Sequence, residues 1–209
     1  MLIFPSGIVD KQRGKFAVEA EAGPVECRLF PLLGTYKAYI CPVDRHGERY
    51  AIDPFFTRLT GITGEIIDAE GVPLQEALLS FDSFSEGAQC WSWGKDELNM
   101  VAISCYVAGM QPPIPANRFD NAVKLLLAVG MPLEDLAKTP SNRLADYYGV
   151  EHPPLQGHDA LDDALSVSYT LQHLLKGGKL TPEVRCLAGV RRIASRSRPM
   201  FAKGGGKRA

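Results

Sequence analysis

The six residues from 158 to 163 bring together a histidine and three carboxylates, His158, Asp159, Asp162 and Asp163, within the run Gly157-His-Asp-Ala-Leu-Asp-Asp-Ala164. A histidine in such a setting can take a proton from water near neutral pH. Carboxylate oxygens can hold a divalent cation, usually a few of them together with waters and a substrate phosphate. The same run also suits a helix start, because aspartate is stabilising near the positive end of a helix. Taken alone, the H-x4-D spacing fits a structural cap better than a site. Two other places offer acids for chemistry. Asp96 follows Trp91-Ser-Trp-Gly at the carboxyl end of an expected strand, where α/β sheets place their sites; taken alone, it is better read as the cap of the helix that begins at Glu97. Glu19 and Glu21 stand at i and i+2 of an expected strand and so share a face. There they would hold one metal, bridge two ions about 4 Å apart, or form the solvated side of an edge strand.

These residues need elements to hold them. Phe16, Val18, Ala20 and Ala22 alternate with Glu19 and Glu21, a strand pattern, and Gly23-Pro24 turns the chain. Val25 to Leu33 and Tyr36 to Cys41 are two more β-rich runs, so residues 1–42 predict an antiparallel meander. Residues 43–71 read as irregular except for a short helix over 53–59, with Asp53 as cap and Pro54 at its first position, and a turn at Thr60-Gly-Ile-Thr63. Apolar residues at 74, 77, 78, 81 and 84 predict a helix over 72–84. Gln89 to Trp93 reads as a short aromatic strand and 97–109 as an apolar helix. Residues 119–128 and 133–137 read as helical, and Ser141 as a cap for 143–148, stopped by Gly149. Gly157 opens a long helix to about Leu175. Thr181-Pro182 starts a last helix, and 196–209 reads as disordered. Strands first, then strand–helix alternation, then helices describe an α/β or α+β domain, one mixed sheet with helices packed on it.

At 209 residues the chain can bury one substantial core. With 45% hydrophobic and 22% charged residues it falls among soluble globular proteins rather than disordered ones. No apolar run approaches the roughly 20 residues of a membrane span, and Met1 to Pro5 lacks the pattern of a signal peptide. Five scattered cysteines without C-x-x-C spacing predict reduced thiols in a cytoplasmic protein, not a disulfide frame or a zinc site. The net charge of -1 hides an asymmetry: from Lys176 onward ten Lys/Arg face one acid, while residues 1–175 carry 13 basic and 23 acidic residues. Such a basic end would grip a phosphate backbone, fold back on the acidic body, or serve solubility. There is no G-x-G-x-x-G and no Walker loop, and neither Ser92 nor Ser104 has a histidine at a triad-like position. His46 and His152 are expected in solvated loops and His173 on a helix surface. Trp91 and Trp93 could stack a base, but a core role is expected for at least one.

In their order and intervals, Thr60-Gly-Ile-Thr63, Cys90-Trp-Ser-Trp-Gly-Lys-Asp96 and Gly157-His-Asp-Ala-Leu-Asp-Asp-Ala164 resemble the DEDDh 3′-5′ exonuclease family. This is the RNase T and proofreading-exonuclease superfamily, with an RNase H-like fold. The Trp-Gly-x-Asp form of the middle motif is most similar to the branch that includes histone-mRNA-type exoribonucleases. Tyr36 to Pro42 and Arg143 to Gly149 also sit where that family has its third strand and the small helix before its last motif. The resemblance spans about residues 1–176. It implies an α/β, RNase H-like mixed sheet, an antiparallel meander then parallel strands, flanked by helices. A basic C-terminal helix over 177–195 and a disordered basic tail over 196–209 would follow that exonuclease-like domain. The implied activity is metal-dependent hydrolysis of phosphodiester bonds at the 3′ end of single-stranded nucleic acid, RNA or DNA, with two Mg2+ or Mn2+ ions. His158 would be the general base. Asp163 and Asp96 would be metal ligands, Asp96 partly through water, while Asp159 and Asp162 shape the helix start. Members of that family often form dimers, though no residue of this chain argues for a homodimer.

The departure is at the front, where the family has a D-x-E pair on its first strand. Three registers are open. In one, Pro5-Ser6-Gly7 is the turn and the pair falls on Leu2 and Phe4. In another, Glu19 and Glu21 form a Glu-x-Glu version and complete the metal ligands. In the third, Asp10 is the first acid and Gln12 replaces the second. Without the pair, the main ion would be held poorly. The chain would then be a catalytically degenerate exonuclease fold that binds nucleic acid or a protein, or one whose true start lies upstream of Met1.

Overall fold

The computed structural model describes residues 34–94 and 97–181. Most of the expected meander lies outside the described residues, as do all three candidate positions of the first acid pair (Glu19 and Glu21 among them), Asp96, the expected C-terminal helix and the basic tail. The described chain is mixed α/β, with eight helices and two short parallel strand pairs.

Strand β1 (Tyr39–Ile40) pairs in parallel with β2 (Gly71–Val72), Tyr39 opposite Gly71 and Ile40 opposite Val72. A parallel pair needs a crossover, and helices α1 (Pro54–Thr60) and α2 (Gly64–Glu70) supply it. Asp53 caps α1 as its sequence predicts, accepting the Phe55 N–H at 2.7 Å. Helix α2 replaces a stretch expected to be irregular. Thr63 is more than a turn residue: its hydroxyl accepts the Ile66 N–H and starts a helix whose Ile67 is buried. Gly71 then lets α2 run directly into β2. A Cβ there would stand 2.4 Å from the Ile67 carbonyl oxygen and 2.9 Å from Cys41 Sγ, so this junction requires glycine.

Helix α3 (Leu74–Ser85) buries Leu74, Ala77, Leu78 and Phe81 of the predicted stripe and leaves Phe84 half-buried, and its expected start at Val72 belongs instead to β2. It leads to β3 (Cys90–Ser92), which pairs in parallel with β4 (Phe119–Asn121) across helix α4 (Glu97–Val107). The helix expected over 119–128 is therefore wrong in its first turn. Phe119 is buried beside Cys90, and Asn121 accepts the Val123 N–H at 3.0 Å, so α5 (Val123–Ala128) begins only afterwards. Tertiary pairing overrides a local preference that was weak, since Asp and Asn are poor helix-interior residues. Alternation along β3 separates two cores. Cys90 faces Ile40, Leu78, Phe81, Val101 and Phe119, whereas Trp91 joins Leu125, Leu126, Leu144, Val167, Leu171 and Leu174. Trp91 is thus a core residue, and Trp93 packs against the same cluster.

Helix α6 (Leu133–Lys138), a 3-10 turn at Ser141–Arg143 and helix α7 (Leu144–Tyr147) lead to α8 (Ala160–Lys176). Pro140 rather than Ser141 precedes that turn as its cap residue. The start of α8 is fixed from this side. The Ala145 N–H donates to the buried Ser166 hydroxyl at 3.0 Å, and a Cβ on Gly157 would stand 2.7 Å from Asn142 Nδ2. His152, expected in solvent, is instead largely covered. It stacks on Tyr169 of α8 and bonds Asp146 at 3.1 Å, because an imidazole with both nitrogens satisfied can be buried at little cost. His173 is exposed, as expected. No helix among the described residues is long and apolar enough to cross a membrane.

Candidate active site

Three stretches far apart in sequence line one cleft of about 310 Å³: Tyr36–Ile40 on and before β1, Thr60–Ile62 at the end of α1, and Gln156 with His158–Leu161 at the start of α8. Each wall has a local cause. Tyr36 is anchored on α3 by its hydroxyl, which donates to the Ala77 carbonyl at 2.9 Å, and by ring contacts with Phe81 and Phe84 at 5.6 Å. The Thr60–Ile62 wall is a helix C-terminus. Gly61 takes a left-handed φ of 73° and donates to the Thr57 carbonyl, and the Thr60 hydroxyl accepts the Ile62 N–H at 3.3 Å.

At the third wall, the acids of Gly157 to Ala164 divide into different jobs. Asp159 is the N-cap of α8. Its Oδ1 accepts the Leu161 and Asp162 N–H groups at 2.9 and 3.2 Å, and its Oδ2 receives the Lys37 ammonium at 2.6 Å. Burial alone would push this carboxyl up, but Lys37 and the two backbone donors outweigh it and hold it below the ordinary carboxylate value. Lys37 moves the opposite way: burial opposes its charge, but Asp159 and Tyr39 prevail and raise its pKa. Asp162 accepts the Gln156 N–H at 2.8 Å and closes the loop around His158. Asp163 differs from both. Its Oδ1 is buried with no hydrogen-bond partner among the described residues. Burial pushes this carboxyl above its ordinary value, against the opposing influence of the nearby His158 ring, the Ser141 hydroxyl and the His158 N–H.

His158 itself sits in the left-handed region, φ 65°, one of two non-glycine residues there among the described residues. The other, Glu86, ends α3. A side chain in that region costs about 1–2 kcal/mol. Here the bonds of Asp159 and Asp162 to Gln156 and the close packing of Gly157 on Asn142 hold it, and the conformation places His158 on the cleft wall.

Of the sequence-predicted site residues, the structure brings His158 and Asp163 together. Asp96, Glu19 and Glu21 lie outside the described residues. Gly94, the last described residue before Asp96, is tightly placed. Gly94 has φ 126°, its carbonyl accepts the Asn121 amide, and a Cβ on it would stand 2.8 Å from Glu97 Oε1. Among the described residues no group of three or more His, Cys, Asp or Glu could hold a metal ion. What they offer is one buried, unpartnered carboxylate oxygen, on Asp163, which does not line the cleft, with His158 nearby on the cleft wall.

Lys37, Ser141 and Asn121 were not foreseen. Lys37 is 122 residues from its partner, and nothing local marks it. Asn121 carried a signal, since Asp-Asn within an apolar run is a poor helix interior and a good cap. The chain matches no family model, no curated protein and no solved structure.

Proposed function

We propose that this protein is a metal-dependent 3′-5′ exonuclease acting on single-stranded nucleic acid, with His158 as general base. The observation that carries the reading is the convergence of Tyr36–Ile40, Thr60–Ile62 and His158–Leu161 on one cleft. These belong to stretches on which the family resemblance was argued, and their meeting in space is independent of that argument. His158 would take the proton of the attacking water, which asks for an imidazole at the cleft surface rather than in the core. Asp163 would give its unpartnered oxygen to a cation, with Asp96, Glu19 and Glu21 completing the set. Bound Mg2+ or Mn2+ would supply charge neutralisation at the phosphate and a more acidic water. Asp159 and Asp162 would hold the His158 loop, and the basic run from Lys176 would help retain the strand.

The test is incubation with 5′-end-labelled single-stranded RNA and DNA, with and without Mn2+. Metal-dependent shortening from the 3′ end is expected, falling about 10²–10⁴-fold in His158→Ala. The Glu19→Gln, Glu21→Gln double variant should lose cleavage while keeping the wild-type urea midpoint. A second reading, a degenerate fold that binds without cutting, draws on the small donor set among the described residues. Binding with no shortening in any metal would establish it and overturn the first.

A further inference from the structure

Among the described residues lining the cleft, Lys37 is the single Lys or Arg. It lies just before β1, held there by Asp159, its ammonium 5.4 Å from the centre of the Tyr39 ring. Its anion is Asp159, and the two oxygens of that carboxylate are divided: Oδ1 caps α8, while Oδ2 meets Lys37. Capping needs only Oδ1, so the ion pair is separable from the helix. Both side chains keep contact with water, 34% and 24% exposed. A pair so placed is weak enough to exchange, and a phosphodiester oxygen is a competing acceptor of the same charge.

We propose that Lys37 binds a backbone phosphate of the single-stranded substrate in this cleft, and that Asp159 is the internal anion it leaves when the strand enters. The nature of the strand rests on the nuclease reading above; the exchange of partners rests on the geometry. The two halves of the pair then act in opposite directions. Lys37 favours binding, and Asp159 competes with the substrate for Lys37. The negative charge of Asp159 beside the cleft also repels an incoming phosphate, which adds to the same sign.

The experiment measures binding of a fluorescent single-stranded oligonucleotide to the full chain by anisotropy. It is run in chelator, so that nothing is cut, and over a range of salt. Lys37→Gln should bind roughly three- to tenfold more weakly, with the slope of log K against log salt smaller by about 0.7, the signature of one lost phosphate contact. Lys37→Arg should restore most of the affinity. Asp159→Asn keeps the cap, since Asn caps as well as Asp, and should bind roughly threefold more tightly. A pair that only holds the fold would weaken binding from both sides, and that result overturns the proposal. So does an unchanged salt slope in Lys37→Gln, or a wild-type chain that does not bind. If the opposite signs are found but Mn2+ yields no cleavage, the phosphate site stands and the exonuclease reading falls.

Discussion

Two helices in this protein begin the same way and serve different ends. Asp53 caps α1 and Asp159 caps α8, each accepting from the residue two positions on, at 2.7 and 2.9 Å. The similarity stops there. Asp53 is exposed, and α1 buries none of its own residues. Asp159 is partly buried, reaches 122 residues back to Lys37, and follows a histidine held at φ 65°. The cap chemistry is common to both; what separates a candidate site from a cap is what the remaining atoms do. At Asp53 they face water, and at Asp159 they face a cleft with a cation in it.

The comparison breaks most sharply in activity. His158→Ala should lose about 10²–10⁴-fold in cleavage rate, whereas Ile52→Ala, at the equivalent place before Asp53, should leave the rate unchanged. Equal losses in the two would mean that the effect is general destabilisation. Stability gives the next difference. Asp53→Ala should cost about 0.5–1 kcal/mol, an exposed cap alone, and Asp159→Ala about 2 kcal/mol, a cap plus a half-buried ion pair. Urea midpoints measure both, and equal costs would make Asp159 only another cap.

pH adds a finer test of the same contrast. The folded-state pKa of Asp159 is lowered, by Lys37 and the backbone donors against burial. Its contribution is therefore present above the unfolded carboxylate value, about 3.9, and is lost as pH falls through the lower folded value. The gap between wild type and Asp159→Ala should hold from pH 7 to about 5 and narrow below about 4. A gap that narrows already between pH 7 and 5 would contradict the lowered pKa.

Much of the frame was legible in the sequence because its signals are local. The caps of α1 and α8 and the stripe of α3 are read from residues within a few positions of one another. Helix α2 was hidden because Thr63-Gly64 reads as a turn, and only the burial of Ile67 shows why a helix forms there. Strand β4 was hidden because each residue's partner in β3 lies 29 positions away along the chain, and an apolar run does not say which neighbour it will find. The site divides in the same way. The spacing singles out His158 and Asp163, but not which of the three acids would keep a buried oxygen without a partner among the described residues. That depends on Lys37, Gln156 and Ser141 taking up the rest, and two of these belong to other elements.

The smallest expected effect concerns Asp163, and its sign carries the argument. Burial raises its pKa in the fold. The stability it provides is therefore full below about pH 3.9 and lost as pH rises through the raised folded value. At neutral pH the ionised group works against folding, and its buried oxygen has no partner among the described residues to offset that. In chelator, Asp163→Asn should be more stable than wild type at pH 7 by on the order of 1 kcal/mol, with the difference closing as pH falls toward 4. The same variant should lose cleavage in Mn2+. A residue kept for the fold would show the reverse, as Asp159→Ala is expected to four positions earlier on the same helix. Loss of stability in Asp163→Asn at neutral pH would return this carboxylate to the class of Asp53, a group that serves only its helix.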